Sequence, residues 1–369
     1  MPPTDRSPPP SERVDSYDYV VPPQAIAQEP KAARDGARLL VVPRQGPAPP
    51  GPLIDSRIAD LPQRLFPGDL LVLNSARVAP ARLAGRRRSG GAVTLLVLAA
   101  EGRQAQVLLG ARGTLVPGEE LDVAGDRWRL VRSLGEGRHA IEVVEGREVA
   151  TLLAHVGRMP LPPYIRRGAT DDPRDAGDRE RYQTVYAEGP ARAVAAPTAG
   201  LHFTAELLAA VQARGVRIER LQLHVGEGTF RPLRGEWLHE HVMHAEDYEI
   251  PESLAVAAAE TRAAGGRLVA VGTTVVRALE SAVEAGPRGA PRLRAGAGRS
   301  TLFLKPGHRF GAVDALLTNF HQPRSTLLVL VSAFAGADTI RRAYAHALAG
   351  AYRLFSYGDA MLLQRSEPG

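Results

Sequence analysis

Apolar runs, read against the turn residues between them, divide the chain into two textures. Leu39–Val42 is short, apolar and flanked by polar residues, which predicts a strand. Ile58–Leu65 predicts one or two helical turns, stopped by Pro67 and Gly68. Residues 69–74 are almost wholly apolar and bounded by turn signals, so both faces of that strand are expected to be covered. From Ala81 to Glu148 the pattern changes. Ala92–Leu98, Gln104–Leu109, Glu120–Val123, Arg127–Arg132 and His139–Val144 recur as short β segments between Gly, Pro or charged turns. With no helical period among them, they predict a small antiparallel barrel or sandwich.

Helical periods return at Arg147–Val156. A proline-fixed loop over Met159–Arg167 then leads into a charged loop ending at Arg181. Thr204–Arg214 predicts a helix with Thr204 as its N-cap and Gly215 at its end. Beyond it the pattern predicts a strand over Val216–Val225, a helix over Pro251–Ala264, a strand over Leu268–Val271 and a helix over Thr274–Ala285. A buried strand over Leu327–Val331 and a helix over Asp338–Ala349 complete the series, and the alternation argues α/β layers. Gln45–Pro52 is a Gly- and Pro-rich loop, and Met1–Arg13, rich in Pro and Ser, reads as a disordered arm.

Composition narrows the chemistry. A length of 369 residues suits about two domains. There is no cysteine, which excludes disulfides, Cys-ligated zinc, iron–sulfur clusters and a thiol nucleophile. The net charge is +6, and all but two of the 46 basic residues are Arg. Codon bias in a GC-rich genome, supported by the many Ala, Gly and Pro residues, is a better explanation of the Arg excess than phosphate recognition, while the positive sign mildly favours an acidic partner. Lys31 and Lys305 are the only lysines, so a Schiff base has few candidates. The longest apolar run, Leu327–Ala337, is short of the ~18–20 residues of a membrane span, and no secretory h-region is present.

Several polar clusters sit at predicted element ends. His202 lies beside the positive end of the Thr204 helix, where an anion is favoured. His224, Gly226 and Gly228 form a Gly-rich turn after a strand, open to close ligand approach or simply a tight turn. His239, His241, His244 and Glu246 could be metal ligands, a polar functional edge or a solvated helix; the spacing is not that of a zinc-protease helix. Gly272-Thr273-Thr274 joins a strand to a helix and offers free N–H groups and hydroxyls to an anion. Thr318, Asn319, His321 and Arg324 crowd one short loop before an apolar run, and Tyr357 and Asp359 interrupt an apolar tail.

Taken together the segments resemble one family, the S-adenosylmethionine:tRNA ribosyltransferase-isomerases of queuosine biosynthesis, from Tyr17 to about Leu363. The resemblance rests on residues 26–30, 68–74, 77–83, 159–165, 178–186, 196–204, 224–232, 240–244, 271–274, 318–321 and 355–361. It implies transfer and isomerisation of the ribosyl part of S-adenosylmethionine onto 7-aminomethyl-7-deazaguanine in tRNA, giving epoxyqueuosine with loss of adenine and methionine. His202, His321, His224, His241, His244 and Asp359, with Glu246 behind them, are then the candidates for proton transfer. Pro197, Thr198, Gly200, Phe203, Gly226, Gly228, Thr229, Phe230, Arg231, Gly272, Thr273, Thr274, Arg277, Thr318, Asn319 and Tyr357 are candidates for substrate binding. Arg77, Arg86, Arg87, Arg88, Arg166 and Arg167 are candidates for tRNA contact. No metal or cofactor is implied, S-adenosylmethionine being a substrate; a cytoplasmic monomer is expected.

The chain departs from the family pattern at Gly36-Ala37, where a Ser is usual in the second position, at Ser75-Ala76 in place of Asp-Thr, and at Thr94 in place of an acidic residue. A paralogue with a different nucleoside acceptor, or a non-catalytic tRNA-binding protein, are the alternative readings. The expected architecture is α/β: a disordered arm over 1–16, a larger α/β domain built from 17–65 and 147–369, and an inserted small antiparallel β-barrel over 66–146.

Overall fold

A computed structural model describes residues 10–44, 51–168, 172–226, 232–286 and 289–365. Its largest feature is a nine-stranded sheet. In order across it lie β17 (Gly296–Ser300), β13 (Glu246–Ile250), β12 (Arg217–Leu223), β3 (Leu70–Asn74), β14 (Leu268–Val271), β18 (Ala315–Asn319), β19 (Ala360–Gln364), β1 (Arg38–Val42) and β2 (Ile54–Arg57). The middle four, β12, β3, β14 and β18, run parallel. β19 returns antiparallel to β18 and lies parallel to β1, with Leu39 opposite Ala360. The first and last of the described strands, β1 and β19, are therefore neighbours.

Every residue of β3, β14 and β18 is buried, as near-continuous apolar strands require when helices cover both faces. On one face Leu71, Leu73, Val269, Val271 and Leu317 meet Leu61 of α1 (Leu61–Arg64) and Leu207 and Val211 of α4 (Ala205–Ala213). Each such aliphatic side chain contributes about 1.5–3 kcal/mol by leaving water. Elsewhere α5 (Glu252–Ala263) and α6 (Thr273–Ser281) pack on β14, α7 (Thr326–Ala335) on β19 and α8 (Ala337–Ala349) on β1.

Residues Val78–Gln183 form a second compact unit, while those up to Arg77 and from Thr184 onward form the first. In the second unit β5 (Arg82–Arg87), β6 (Ala92–Glu101), β7 (Gln104–Ala111), β8 (Glu120–Val123), β9 (Asp126–Gly135) and β10 (Arg138–Glu145) close into an antiparallel barrel. Alternate residues point inward: Val93, Leu95 and Val97 from β6, Trp128 from β9, Ile141 and Val143 from β10. Val149 and Leu152 of α2 (Val149–Val156) complete this core. The protein is thus a mixed α/β fold with both terminal strands in the main sheet and an inserted six-stranded barrel.

The structure corrects several expectations. Leu327–Val331 is not a strand but the middle of α7, whose N-cap Ser325 accepts a hydrogen bond from the Leu328 N–H at 3.2 Å. The helix expected to Ala285 stops at Ser281, because Val283–Ala285 (β15) pairs antiparallel with Pro291–Leu293 (β16). The charged loop before Arg181 contains α3 (Asp175–Arg181). The barrel unit begins at Val78 rather than residue 66, since β3 pairs between β12 and β14. It runs on to Gln183 because α2 and α3 belong to it. Residues 1–9 of the expected arm, and 45–50 of the Gly- and Pro-rich loop, lie outside the described residues. Residues 10–16 are no loose arm: Val14 is 1% exposed, the Val14 N–H donates to the Glu236 carbonyl, and Lys305 pairs with Glu12 at 2.9 Å.

Candidate active site

The four parallel strands end on one edge of the main sheet, and the antiparallel β13 and β19 begin there. Open α/β sheets bind ligands at that edge. It collects Asn74, His224 and Gly226, Gly272–Thr274, Asn319–His321, Glu246 and Asp359, which the sequence spreads over nearly three hundred positions. Gly272 turns β14 directly into α6 with φ +94° and ψ 150°, a region open essentially to glycine alone, and its N–H donates to the Leu317 carbonyl at 2.8 Å.

His202 ends the 3₁₀ turn Thr198–His202, just before Thr204, whose hydroxyl accepts from the Leu207 N–H at 3.0 Å and caps α4. Its Nε2 lies 3.3 Å from Asn319 Nδ2. The same amide nitrogen donates to the Phe355 carbonyl at 3.0 Å, so the amide orientation is set by its partners and His202 Nε2 is the acceptor. Burial pushes the His202 pKa down to about 4, a hydrogen bond to the Arg34 backbone opposes this, and the Arg34 charge adds to it. His321 is similar. Its Nε2 is 3.0 Å from Thr318 Oγ1, its N–H donates to Tyr344, its carbonyl accepts from Tyr19, and burial pushes its pKa down to about 3. Both rings are neutral near pH 7 and already engaged.

Asp359 is 1% exposed, and its two oxygens accept the backbone N–H groups of Arg38 and Arg353, each at 2.8 Å. It ties β1 to the turn before β19, so both oxygens of this proton-transfer candidate are already engaged. Phe203 is likewise core, fully buried and edge-on to Tyr186 at 6.3 Å. Pro197, Gly200, Thr273, Thr274, Thr318 and Tyr357 are buried, and Thr198 is half-buried. Gly200 matters through what covers it: an added Cβ would collide with the Tyr186 hydroxyl.

Arg277 and Glu246 form the most buried ion pair of the edge. Arg277 Nη1 bonds Glu246 Oε2 at 2.5 Å, with side-chain exposures of 6% and 3%. Glu246 Oε1 accepts from the Gly226 N–H at 3.1 Å. Among the described residues, four residues on this edge carry buried polar atoms with no hydrogen-bond partner: Arg277, through Nε and Nη2, Thr274 Oγ1, Asn319 Oδ1 and His224 Nδ1. Burial, then the charge of Arg192, lowers the His224 pKa. Gly228, Thr229, Phe230 and Arg231 lie outside the described residues.

His241 and His244 follow the short 3₁₀ turn Leu238–Glu240 in irregular chain, which corrects the solvated-helix alternative for this stretch. His241 sits edge-on to Phe303 at 5.6 Å, and burial followed by the charge of His244 lowers its pKa. Among the described residues no group of three or more His, Asp or Glu is placed to hold a metal ion.

In the barrel unit the candidate tRNA-contacting arginines divide. Arg87 is held by Glu119 at 2.5 and 2.9 Å and donates to the Arg112 and Thr114 carbonyls. Arg167, 4% exposed, grips Asp178 through two bonds of 2.5 and 2.9 Å. Both of these arginines are thus engaged by carboxylates. Arg86 and Arg166 are exposed, as is Arg88, 3.4 Å from Glu120. In the first unit Arg77 is exposed and donates to the Ala187 and Gly189 carbonyls.

Sequence reasoning missed Arg34, which donates to the Leu201 carbonyl at 3.2 Å, and Tyr186 above Gly200. It also missed Glu280, whose carboxylate gathers the N–H groups of Gly311, Ala312 and Val313. An acidic residue in a helix whose adjacent positions, Ala278, Leu279 and Ser281, are apolar or small was the available signal for Glu280.

A family model described as queuosine biosynthesis protein matches residues 14–363. The chain belongs to the S-adenosylmethionine:tRNA ribosyltransferase-isomerase family. It is 49% identical over 360 residues to the S-adenosylmethionine:tRNA ribosyltransferase-isomerase of Anaeromyxobacter sp. (strain Fw109-5), covering 96% of this chain and 100% of that one. It is 48% identical over 356 residues to that of Thiobacillus denitrificans, covering 96% and 98%. Among solved structures it is similar to an S-adenosylmethionine tRNA ribosyltransferase from Thermotoga maritima, at 33% identity and a TM-score of 0.51, covering 94% of this chain and 99% of that one. Within this ribosyltransferase-isomerase, the departures from the family pattern are spread out. Ala37, Ser75 and Ala76 are buried, with the Ser75 hydroxyl donating to the Leu221 carbonyl at 3.3 Å, while Thr94 stands on the exposed side of β6.

Proposed function

We propose that this ribosyltransferase-isomerase moves the ribosyl group of S-adenosylmethionine onto 7-aminomethyl-7-deazaguanine in tRNA, yielding epoxyqueuosine and releasing adenine and methionine. The observation that carries this assignment to the carboxyl edge is the set of unpartnered buried groups on Arg277, Thr274, Asn319 and His224. An unpaired buried polar group costs about 1–3 kcal/mol, so such a set is retained where a ligand completes it. In this reading the N-terminus of α6 with Thr273 and Thr274 faces the donor.

The sulfonium makes the C5′ protons of the donor acidic and methionine a good leaving group. A base must take one proton, and adenine must be helped to depart. His202 and His321 already use their Nε2 atoms on Asn319 and Thr318, so they hold the loop after β18 in place. His224 keeps Nδ1 unpartnered and is the proposed proton acceptor. The exposed Arg77, Arg86, Arg88 and Arg166 are the proposed tRNA contacts.

The test is adenine and methionine release on mixing the protein with S-adenosylmethionine and tRNA carrying the modified base. Release that requires the 7-aminomethyl-7-deazaguanine is expected. Turnover with another acceptor would move the protein to the paralogue reading, and tRNA binding without turnover to the non-catalytic one. His224→Gln should keep its melting temperature and release adenine ~10²-fold more slowly, the size of a lost acid–base group.

A further inference from the structure

The Arg277 guanidinium presents a ligand-ready edge that no described residue uses. Nη1 is taken by Glu246, while Nε and Nη2, the two parallel donors on the opposite side, are buried without partners. That edge matches a planar two-oxygen acceptor in a bidentate geometry. Thr274 stands three positions earlier on α6 and therefore shares its helix face, and its hydroxyl is also buried and unpartnered. α6 is nine residues long and starts at Thr273, so its positive end lies one turn away.

Charge selects the kind of acceptor. Glu246 neutralises Arg277, and its other oxygen is satisfied by the Gly226 N–H. What is left is a pair of strong donors, a hydroxyl and a helix N-terminus, which together suit one negative charge rather than the two of a phosphate group.

We propose that Arg277, with Thr274, seats the α-carboxylate of the methionine part of S-adenosylmethionine. This rests on the reading that the carboxyl edge binds that donor. Glu246 is the positioning residue: it fixes the guanidinium from behind and ties it to Gly226, so that donor binding and the start of the Gly-rich turn are joined through one carboxylate.

The experiment compares the full chain's affinity for S-adenosylmethionine and for decarboxylated S-adenosylmethionine, which keeps the sulfonium and adenosine. The parent should bind the decarboxylated compound at least about tenfold more weakly, the effect of a lost charge-assisted contact. Arg277→Gln should bind the two within about twofold of each other, with S-adenosylmethionine weakened toward its decarboxylated form. Arg277→Lys, which keeps charge but not the two-pronged edge, should fall between. If Arg277→Gln does not fold, Thr274→Val supplies the second variant, expected to narrow the discrimination severalfold. Equal affinities in the parent, unchanged discrimination in either folded variant, or displacement of S-adenosylmethionine by inorganic phosphate as readily in the parent as in Arg277→Gln, each overturn the seat. Absence of any S-adenosylmethionine binding overturns the reaction reading itself and the seat with it.

Discussion

His202 and His321 are neutral because burial makes their protonated forms expensive, and this couples folding to pH. Their folded pKa values, about 4 and about 3, lie below the ~6.5 of an unfolded chain. The unfolded state therefore takes up protons first as pH falls. The stability these rings contribute is complete above about pH 6.5 and is lost on acidification through the window down to about 4 and 3. Linkage makes the loss about 2 kcal/mol per ring between pH 7 and pH 5. His321→Asn should accordingly lose about 2 kcal/mol less than the parent over that interval in denaturant unfolding; parallel losses would mean the ring is protonated in the fold. At this scale the sequence named residue types well and partners poorly. His202, Thr274 and Asn319 were recognisable as polar groups at element ends. That Arg87 is consumed by Glu119, 32 positions away, and Arg167 by Asp178 was not, because an Arg-Arg run reads the same whether it faces phosphate or carboxylate.

Elements were legible where a cap or an alternation marked them. Thr204 caps α4 in the way its position before an apolar stripe predicts, and Thr204→Ala should cost about 1 kcal/mol in thermal or denaturant unfolding by leaving the Leu207 N–H without its partner. An unchanged stability would show that water replaces the hydroxyl fully. The barrel strands were readable because inward and outward residues alternate on a surface that is half exposed. α7 was misread for the complementary reason. Buried on most sides, it shows a continuous apolar run, and such a run has no period to distinguish helix from strand. The distinguishing mark was Ser325, a helix cap at the start of the run. Residues 239–246 were misjudged as possible helix because spacing alone does not reveal that Glu246 opens a strand and spends its carboxylate on Arg277 and Gly226.

For the whole molecule, a positive chain and a polyanionic substrate lead to a salt-dependence test. Removing Arg86 and Arg88 together should lower the slope of log affinity for tRNA against log salt by up to ~0.9 per lost phosphate contact. Arg87→Ala, which breaks the Glu119 bonds, should instead lower the melting temperature. A double variant with the parental slope would remove those two arginines from the interface. The insertion of a barrel into an α/β unit was visible as a change of texture along the chain, but its edges were not. β3 is as apolar as a barrel strand, and only its pairing with β12 and β14 assigns it to the main sheet. The pairing of β1 with β19 has a further consequence for synthesis on the ribosome. The Arg38 N–H waits for Asp359, 321 residues later, so at ~5–20 residues per second the first strand has no parallel neighbour for roughly 15–60 s. The barrel's strand pairs all fall between Arg82 and Glu145 and can close soon after that stretch emerges. In the nascent chain β1 can pair early with β2, but its other edge, where Leu39 and Leu40 lie opposite Ala360 and Met361, stays open until β19 emerges, which leaves that edge in need of chaperone shielding during synthesis.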